Sequence, residues 1–216
     1  MVRSPNDRYQ TLKEAFQRGR HLAFQKGEFI IRPGDTPPGV FLIEKGLVKA
    51  YDITKYGEDN LLIVRHEDEV FPLIWAVTGQ ERSVIYQAIV PTSLWRISRK
   101  DFLADVMEKP DNLSAVLDMT IEMYRLHSER IINLEYRSVR ERLISFMLTM
   151  STRFGKEHAD GMMIDLPLRQ QDIASSINSS RETTSRELSL LEKKGLIKTN
   201  PQYVILVDIE KLKSFL

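Results

Sequence analysis

Two arginines and a glutamate stand close together in one polar segment of the chain, and their side chains suit contact with DNA. They are Arg181, Glu182 and Arg186. An arginine donates two hydrogen bonds at once to O6 and N7 of guanine, and a glutamate accepts one from N4 of cytosine. Helices make such contacts with their N-terminal residues when they enter the major groove. We therefore predict that these three residues contact DNA bases.

Two short helices between residues 169 and 195 would position these side chains. In the first helix Ile173, Ala174 and Ile177 share one face, and in the second Thr184, Leu188 and Leu191 share one face. A polar turn at 178–180 separates the helices, and Ser180 is a favourable N-cap while Gly195 is a favourable stop. The pattern is typical of a helix-turn-helix. Ile197 and residues 203–207 predict a hairpin beside it, which would make the module winged.

Residues around the turn suit DNA phosphates rather than bases. Hydroxyl, amide and guanidinium groups donate to phosphate oxygens and so position a protein on the duplex. The predicted phosphate contacts are Arg169, Gln171, Ser179, Ser180 and Thr183. The whole chain has a net charge of +1, but residues 136–216 carry 13 Lys+Arg against 10 Asp+Glu, a net of +3. This modest basic excess favours phosphate binding.

Residues 110–136 predict one long helix with a heptad seam. The seam residues follow spacings of 4, 3, 4, 3, 4 and 3, and they are Leu113, Leu117, Thr120, Tyr124, His127, Ile131 and Leu134. Such a pattern pairs two helices side by side, so we predict a homodimer. The alternative is a helix buried within one monomer. A second helix is predicted from about Val139 to Phe154, with Ser138 and Glu141 as its capping box, and 155–161 as a loop.

Residues 26–98 predict a β-rich domain. Short runs of β-branched and aromatic residues alternate with glycine and proline turns, and they cover 29–31, 40–43, 47–51, 61–64, 84–86 and 94–97. Many short strands at this spacing are typical of an antiparallel barrel or roll. Ser98 then suits the N-cap of a following helix.

Composition excludes several classes of protein. The chain has no cysteine, which excludes disulfides, thiolate zinc sites and cysteine-ligated iron–sulfur clusters. The polar start, Met1 to Gln10, and the absence of a long apolar run predict a cytoplasmic protein. No nucleotide-binding glycine loop or serine-nucleophile motif is present, so we expect no enzyme. A metal enzyme of the cupin type is the alternative, and it would need some of the four histidines to converge.

Several motifs together resemble the CRP/FNR family of bacterial transcription regulators. They are Ser-Arg-Glu-Thr-x-Ser-Arg-Glu-Leu at 180–188, Leu-Glu-Lys-Lys-Gly-Leu-Ile at 191–197, Gly-Glu-x-Ile-x-x-x-Gly-Asp at 27–35, Val-Phe-Leu-Ile-Glu-Lys-Gly at 40–46, Glu-Arg-Ser at 81–83, Pro-Asp at 110–111 and Ser-Glu to Asn-Leu at 128–134. The resemblance covers about residues 20–207. It implies an α+β fold: an N-terminal antiparallel β-roll (a double-stranded β-helix, cyclic-nucleotide-binding-like), a long dimerisation helix and a C-terminal winged helix-turn-helix.

The same resemblance implies a function and a division of the chain. Residues 1–109 would form the sensor domain, 110–137 the dimerisation helix and 138–216 the DNA-binding domain. Arg181, Glu182 and Arg186 would read a palindromic TGTGA-like site, and RNA polymerase would be a further partner. The alternative is an interaction module whose winged helix does not bind DNA.

The sensor segment departs from the cyclic-nucleotide-binding members of the family. Those members carry a Gly-Glu pair where this chain has Pro72 and Leu73, and leucine cannot accept a hydrogen bond from a ribose hydroxyl. We therefore expect no tight binding of cyclic AMP, and no iron–sulfur cluster or cysteine-ligated haem. The candidate residues for another effector are Phe71, Leu73, Arg82, Ser83, His127 and Ser128. Alternatively the apolar ones fill the core, or the dimer binds DNA without any effector.

Overall fold

The computed structural model describes residues 5–200 and 203–216, which form two compact units. The first unit comprises Met1–Asp52 and Leu62–Leu126, and the second Ile53–Leu61 and His127–Leu216. The start of the polar N-terminal segment, residues 1–4, lies outside the described residues. In the part of the chain that is described, no helix has the length and apolar character to cross a bilayer.

The first unit contains an antiparallel β-roll. Its strands are β1 (Arg20–Phe24), β2 (Phe29–Ile31), β3 (Val40–Lys45), β4 (Val48–Ile53), β5 (Asp59–Arg65), β6 (Val70–Phe71), β7 (Ile85–Ala88) and β8 (Thr92–Ile97). The last residue of β4 and the first three residues of β5 belong to the second unit. They form two four-stranded sheets with the orders β1-β8-β3-β6 and β2-β7-β4-β5. The predicted roll is confirmed. Strands β1 and β6 were not predicted. Strand β6 has two residues and exists only through its pairing with β3.

Helices cover one face of the first sheet. They are α1 (Pro5–Gln17), α2 (Leu73–Thr78), α3 (Arg99–Glu108) and the start of α4 (Pro110–Tyr136). Val40 and Leu42 of β3 pack with these helices, whereas Phe41 and Ile43 pack inside the roll. Because side chains alternate along a strand, β3 is buried on both faces, which explains its continuous apolar run. The inner cluster consists of Ile30, Ile31, Phe41, Ile43, Val48, Ala50, Ile63, Phe71, Tyr86, Ala88 and Leu94.

Helix α4 has the bounds that the sequence predicted, and it has two different faces. Ala115, Val116 and Met119 are buried against the first unit. On the seam, Leu113, Leu117, Thr120, Tyr124, His127 and Ile131 are exposed and Leu134 is half-buried. The seam is therefore no part of the monomer's core, contrary to the alternative of a helix buried within one chain.

The second unit contains the rest of the helices and a four-stranded sheet. Its elements are α5 (Val139–Phe154), β9 (Gly155–His158), β10 (Gly161–Ile164), α6 (Gln170–Ser176), α7 (Arg181–Lys193), β11 (Ile197–Asn200), β12 (Tyr203–Leu206) and α8 (Ile209–Lys213). The sheet order is β11-β12-β10-β9. The predicted loop at 155–161 is wrong, because β9 and β10 form a hairpin there. Every residue of β9 is exposed, so no apolar alternation marked it as a strand.

Hydrogen bonds fix the connection between α4 and α5. Arg137 donates from Nη1 to Oδ1 of Asn133 at 2.6 Å, and Asn133 donates from Nδ2 to Oγ of the buried Ser145 at 2.9 Å. The predicted capping box is confirmed: the Ser138 side chain accepts from the backbone N–H of Glu141, and the Ser138 N–H donates to Oε2 of Glu141 at 2.7 Å. The serine and glutamate together satisfy amides that the first turn of α5 leaves unpaired.

We predict that Ser138→Ala destabilises the second unit. Losing the side-chain cap costs about 1 kcal/mol, which lowers the midpoint of thermal unfolding by about 2–4 °C in a chain of this size. Circular dichroism measures the shift. The control is Ser114→Ala in α4, where the described residues give the serine no hydrogen-bond partner. An equal loss in both variants would contradict the role of the cap.

Candidate nucleic-acid interface

The turn between α6 and α7 is closed by backbone hydrogen bonds. The N–H of Ser179 donates to the carbonyl of Ala174 at 2.9 Å, and that of Asn178 donates to Ser175 at 3.2 Å. Asn178 has a φ of 50°, in the left-handed region that asparagine tolerates better than most residues. These bonds fix the angle at which the chain enters α7, and they form the predicted helix-turn-helix.

Helix α7 begins where the sequence predicted and is capped by the predicted residue. The Oγ of Ser180 accepts from the N–H of Thr183 at 3.1 Å. Thr184, Leu188 and Leu191 are buried, so the inner face of the helix is also as predicted. The buried hydroxyl of Thr184 lacks a hydrogen-bond partner among the described residues.

The three predicted base-reading residues lie on the exposed side of α7. Arg181 and Glu182 are in its first turn, and Arg186 follows about one turn later; all three are exposed. Among the described residues, none of the three side chains makes a hydrogen bond or ion pair. Two guanidinium groups and a carboxylate are thus available to an external partner.

Helix α5 holds α7 through two arginines that sequence analysis missed. Nε of Arg140 donates to Oε2 of Glu187 at 2.7 Å, and only 12% of the Glu187 side chain is exposed. Nη2 of Arg142 donates to the carbonyl of Asn178 at 3.3 Å. Forty-seven positions separate Arg140 from Glu187, so no local pattern could have indicated this pair. Both contacts reach α7 or the turn before it, so they set the orientation of the exposed face.

The wing is joined to the C-terminal end of α7. Gly195 has a φ of 68° and ends the helix as predicted. Oε1 of Glu192 accepts from the N–H and from the hydroxyl of Thr199 in β11, each at 2.9 Å. Lys198 pairs with Asp160 at 2.8 Å, which connects β11 to the turn between β9 and β10.

The residues predicted to contact phosphates differ in their exposure and in whether they already have partners within the chain. Ser180 is exposed, and Gln171, Ser179 and Thr183 are half-buried. Arg169 is exposed but engaged: Nη2 lies 2.9 Å from Oδ1 of the buried Asp172 and 3.1 Å from Oδ2 of Asp59. The hydrogen bond to Asp172 raises the pKa of Arg169. A phosphate would have to compete with both carboxylates for this guanidinium.

Asp172 supplies the side chain that caps the start of α6, where Arg169 is the N-cap residue. Its Oδ2 accepts from the backbone N–H of Arg169 and from the Nε of the same residue, both at 3.0 Å. An arginine cannot accept a hydrogen bond, but the aspartate three residues on supplies the negative charge that a helix start favours.

The segment 53–61, which belongs to the second unit, contacts α4 and α6. Nη1 of Arg130 donates to the carbonyl of Leu61 at 3.0 Å, and Nη2 donates to Oδ1 of Asn60 at 3.2 Å. The N–H of Leu61 donates to Oγ of Ser175 at 3.2 Å. Burial lowers the pKa of Arg130. Together with Asp59 and Arg169, these contacts tie the segment to the first helix of the helix-turn-helix.

The candidate effector residues are not brought into one cluster. Phe71 is fully buried and stacks on Phe41 at 5.2 Å and Tyr86 at 4.7 Å between ring centroids. Leu73 packs in the separate cluster under the helices. Both apolar candidates therefore fill the core, as the alternative had it. The two polar candidates of the first unit, Arg82 and Ser83, are exposed. His127 is exposed and Ser128 half-buried, and both belong to the second unit.

The histidines do not form a metal site of the kind a cupin enzyme needs. His21 lies 2.7 Å from Glu44, His66 3.3 Å from Glu69 and His158 3.9 Å from Asp160, each on a different segment. In residues 5–200 and 203–216, no group of three or more histidines or carboxylates is arranged to hold a metal ion.

Two family models match the chain. A cyclic nucleotide-binding domain matches residues 21–109, and a Crp-like helix-turn-helix domain matches residues 141–215. The chain is 33% identical over 177 residues to the global nitrogen regulator of Synechococcus elongatus, covering 81% of this chain and 79% of that protein. It is 26% identical over 200 residues to the transcriptional activator protein Anr of Pseudomonas aeruginosa, covering 92% of this chain and 80% of that one.

Solved structures share the fold. FixK2 from Bradyrhizobium japonicum superposes with a TM-score of 0.78 at 22% identity, covering 90% of this chain and 96% of that one. The c-di-GMP responsive global regulator CLP of Xanthomonas campestris also gives 0.78, at 18% identity, covering 92% and 99%. Matched over both its β-roll and its helix-turn-helix, and at 33% identity to a named regulator, this chain belongs to the CRP/FNR family of transcription regulators.

Proposed function

We propose that the chain acts as a homodimer that binds a palindromic TGTGA-like DNA site and regulates transcription there. The observation that carries this proposal is the exposure of Arg181, Glu182 and Arg186 on α7 without a partner among the described residues. An exposed arginine in a helix start reads guanine with two donors, and the adjacent glutamate reads cytosine. Ser179, Ser180 and Thr183 then suit the flanking phosphates.

The exposed seam of α4 supports the homodimer. Leu117 and Ile131 are 53% and 57% exposed in the single chain. Apolar side chains at heptad spacing gain by packing against the same residues of a second copy, since an isolated chain leaves them in water. Two copies would place two α7 helices about 34 Å apart, which is one turn of duplex.

The same proposal assigns a role to each part of the chain. Residues 1–109 would sense an effector other than cyclic AMP, 110–137 would dimerise and 138–216 would bind DNA. RNA polymerase would be a further partner on the DNA in the cytoplasm. The chain would have no catalytic role and no iron–sulfur or haem cofactor. Pro72 and Leu73 support the exclusion of cyclic AMP, since neither supplies the hydrogen bonds that its ribose and phosphate need.

Arg181→Ala should weaken binding to a TGTGA palindrome. Loss of one bidentate base contact costs about 1–3 kcal/mol, or about 5–150-fold in affinity. Fluorescence anisotropy with a labelled duplex measures the change, and a scrambled duplex should be bound equally by both proteins. Lys213→Ala in α8 removes an exposed positive charge and is the control. Equal weakening on both duplexes would show that Arg181 does not read bases.

The double variant Leu117→Glu and Ile131→Glu should be monomeric and should lose tight binding to the palindrome. Charges that face each other across the seam repel and cannot be desolvated cheaply. Light scattering after size exclusion gives the mass. The matched control is Tyr136→Glu, because this residue is 81% exposed and lies off the seam. A dimer that persists in the double variant would refute the assignment of the interface.

Arg140→Ala and Glu187→Ala should each weaken binding to the palindrome several-fold, and the double variant should be no weaker than either single one. Both substitutions remove the same contact between α5 and α7, so their effects should not add. The dependence of affinity on salt distinguishes the roles. A positioning role leaves the slope unchanged, whereas a direct phosphate contact by Arg140 would reduce it by about 0.9. Additive effects or a reduced slope would contradict the positioning role.

A further inference from the structure

An exposed ion pair joins the hairpin between β4 and β5 to the start of α6. Oδ2 of Asp59 lies 3.1 Å from Nη2 of Arg169, and the two side chains are 31% and 63% exposed. Asp59 is the first residue of β5, whereas Arg169 directly precedes α6 and is one of the residues predicted to contact a DNA phosphate. This guanidinium can therefore bind either a carboxylate of the chain or a phosphate of the duplex.

Arg169 has another carboxylate partner, which supports the helix. Nε donates to Oδ2 of Asp172 at 3.0 Å, and Nη2 donates to Oδ1 of the same residue at 2.9 Å. Asp172 is 4% exposed and caps α6, so this pair compensates a buried charge at a helix start. One carboxylate already balances the charge of one guanidinium. Asp59 therefore gives the group an excess of negative charge.

That excess opposes the approach of a phosphate. Charges repel one another over about 8 Å at physiological salt, and Asp59 is in direct contact with the guanidinium. Nη1 of Arg169 makes no hydrogen bond among the described residues, but a phosphate bound there would still lie close to the carboxylate of Asp59. The ion pair itself opens easily, because exposed pairs contribute little to stability. A phosphate can thus displace Asp59 at a modest cost.

Hydrogen bonds of the same hairpin hold Asp59 beside α6. The N–H of Leu61 donates to Oγ of Ser175 in α6 at 3.2 Å, and the carbonyl of Leu61 accepts from Nη1 of Arg130 at 3.0 Å. Both bonds act on the backbone two residues from Asp59. They keep its carboxylate opposite Arg169 without any contribution from the ion pair, so the pair is favoured before any DNA is present.

We propose that Asp59 is an autoinhibitory residue for DNA binding. It occupies Arg169 in the free protein, and a DNA phosphate displaces it when Arg169 contacts the duplex. The proposal rests on the proposed DNA-binding role of residues 138–216, and it adds a residue outside that segment that sets the affinity. Phosphate contacts carry no sequence information directly, so Asp59 lowers the affinity for every duplex to a similar extent.

Asp59→Asn tests this role, since the amide keeps the shape of the side chain and loses its charge. We expect the full-length protein to bind the TGTGA palindrome about three- to tenfold more tightly after the substitution, because neither half-site then has to open an ion pair. A scrambled duplex should show a similar gain. Fluorescence anisotropy with labelled duplexes at one salt concentration measures both. Unchanged or weaker binding would overturn the proposal.

Glu58→Gln is the matched control. Glu58 is the neighbouring residue in the hairpin, it is exposed, and its side chain makes no hydrogen bond or ion pair among the described residues. The substitution removes the same charge, so a general decrease in repulsion between protein and DNA appears in both variants. We expect it to tighten binding by less than about twofold, because a screened charge without a contact acts weakly. An equal gain in both variants contradicts a specific role of Asp59.

A double-mutant cycle with Arg169→Gln identifies the target of Asp59. Glutamine can still donate to Asp172, and it removes the charge that Asp59 contacts. In this background Asp59→Asn should change the affinity by less than about twofold, because the two residues act through one contact. Arg169→Gln alone should reduce the slope of log affinity against log salt by about 0.9 for each half-site. A gain that persists without Arg169, or an unchanged slope, means that the proposal is wrong. Asp59→Asn and Glu58→Gln decide the question by themselves if Arg169→Gln impairs folding.

The two duplexes separate this proposal from the proposed function. If the palindrome is not preferred but Asp59→Asn tightens binding to both duplexes, the TGTGA-like site is wrong while the role of Asp59 stands. If the palindrome is preferred and Asp59→Asn has no effect, the role of Asp59 is wrong while the DNA-binding role stands. If no duplex is bound, both are wrong.

Discussion

Helix α7 must be held firmly on one face while the charges at its start stay unpaired on the other. The inner face is fixed by buried Leu188 and Leu191, and the ion pair of Glu187 with Arg140 adds a contact to α5. Each interaction acts on a residue that points away from solvent. Arg181 and Arg186 have no ion-pair partner among the described residues, so an external group can contact them without breaking an existing pair. The charge pattern of α7 therefore separates the residues that hold the helix in place from those that are available to an external partner.

Helix α4 also has one face that packs within the chain and one that is exposed, but the exposed face is apolar. Its buried face, including Ala115 and Met119, packs against the first unit, and its seam leaves Leu117 and Tyr124 in water. A continuous row of exposed apolar side chains such as this seam is unfavourable in a monomer. The hydrogen bonds among Arg137, Asn133 and Ser145 then fix how α5 continues from the helix. If α4 pairs with its copy, that rigid connection transmits the spacing of the dimer to the DNA-binding units, so the half-site separation follows from the seam.

The sequence predicted those parts of the fold that depend on neighbouring residues. Helices α4, α5 and α7 begin where predicted, because a proline, a capping box and a capping serine act within one turn. The strands β6 and β9 were not predicted, because β6 has two residues and pairs only with the distant β3, and β9 is exposed throughout and carries no apolar alternation. Distance in the chain also explains what was missed at the site: Asp59 lies 110 positions from Arg169, and it changes the guanidinium that we expected to be free for phosphate into a paired one.

The interior of the β-roll is filled by the side chains of the chain itself. Phe71, which directly precedes Pro72 and Leu73, is fully buried and stacks on Phe41 and Tyr86. Core filling of this kind stabilises the roll without any ligand. It also leaves the polar groups of the interior few, so each buried charge is conspicuous. Arg65 is such a charge, and no contact within the described residues accounts for its Nε. A buried donor without an acceptor is unfavourable, and an apolar residue of similar length often replaces a poorly paired buried charge without loss of stability.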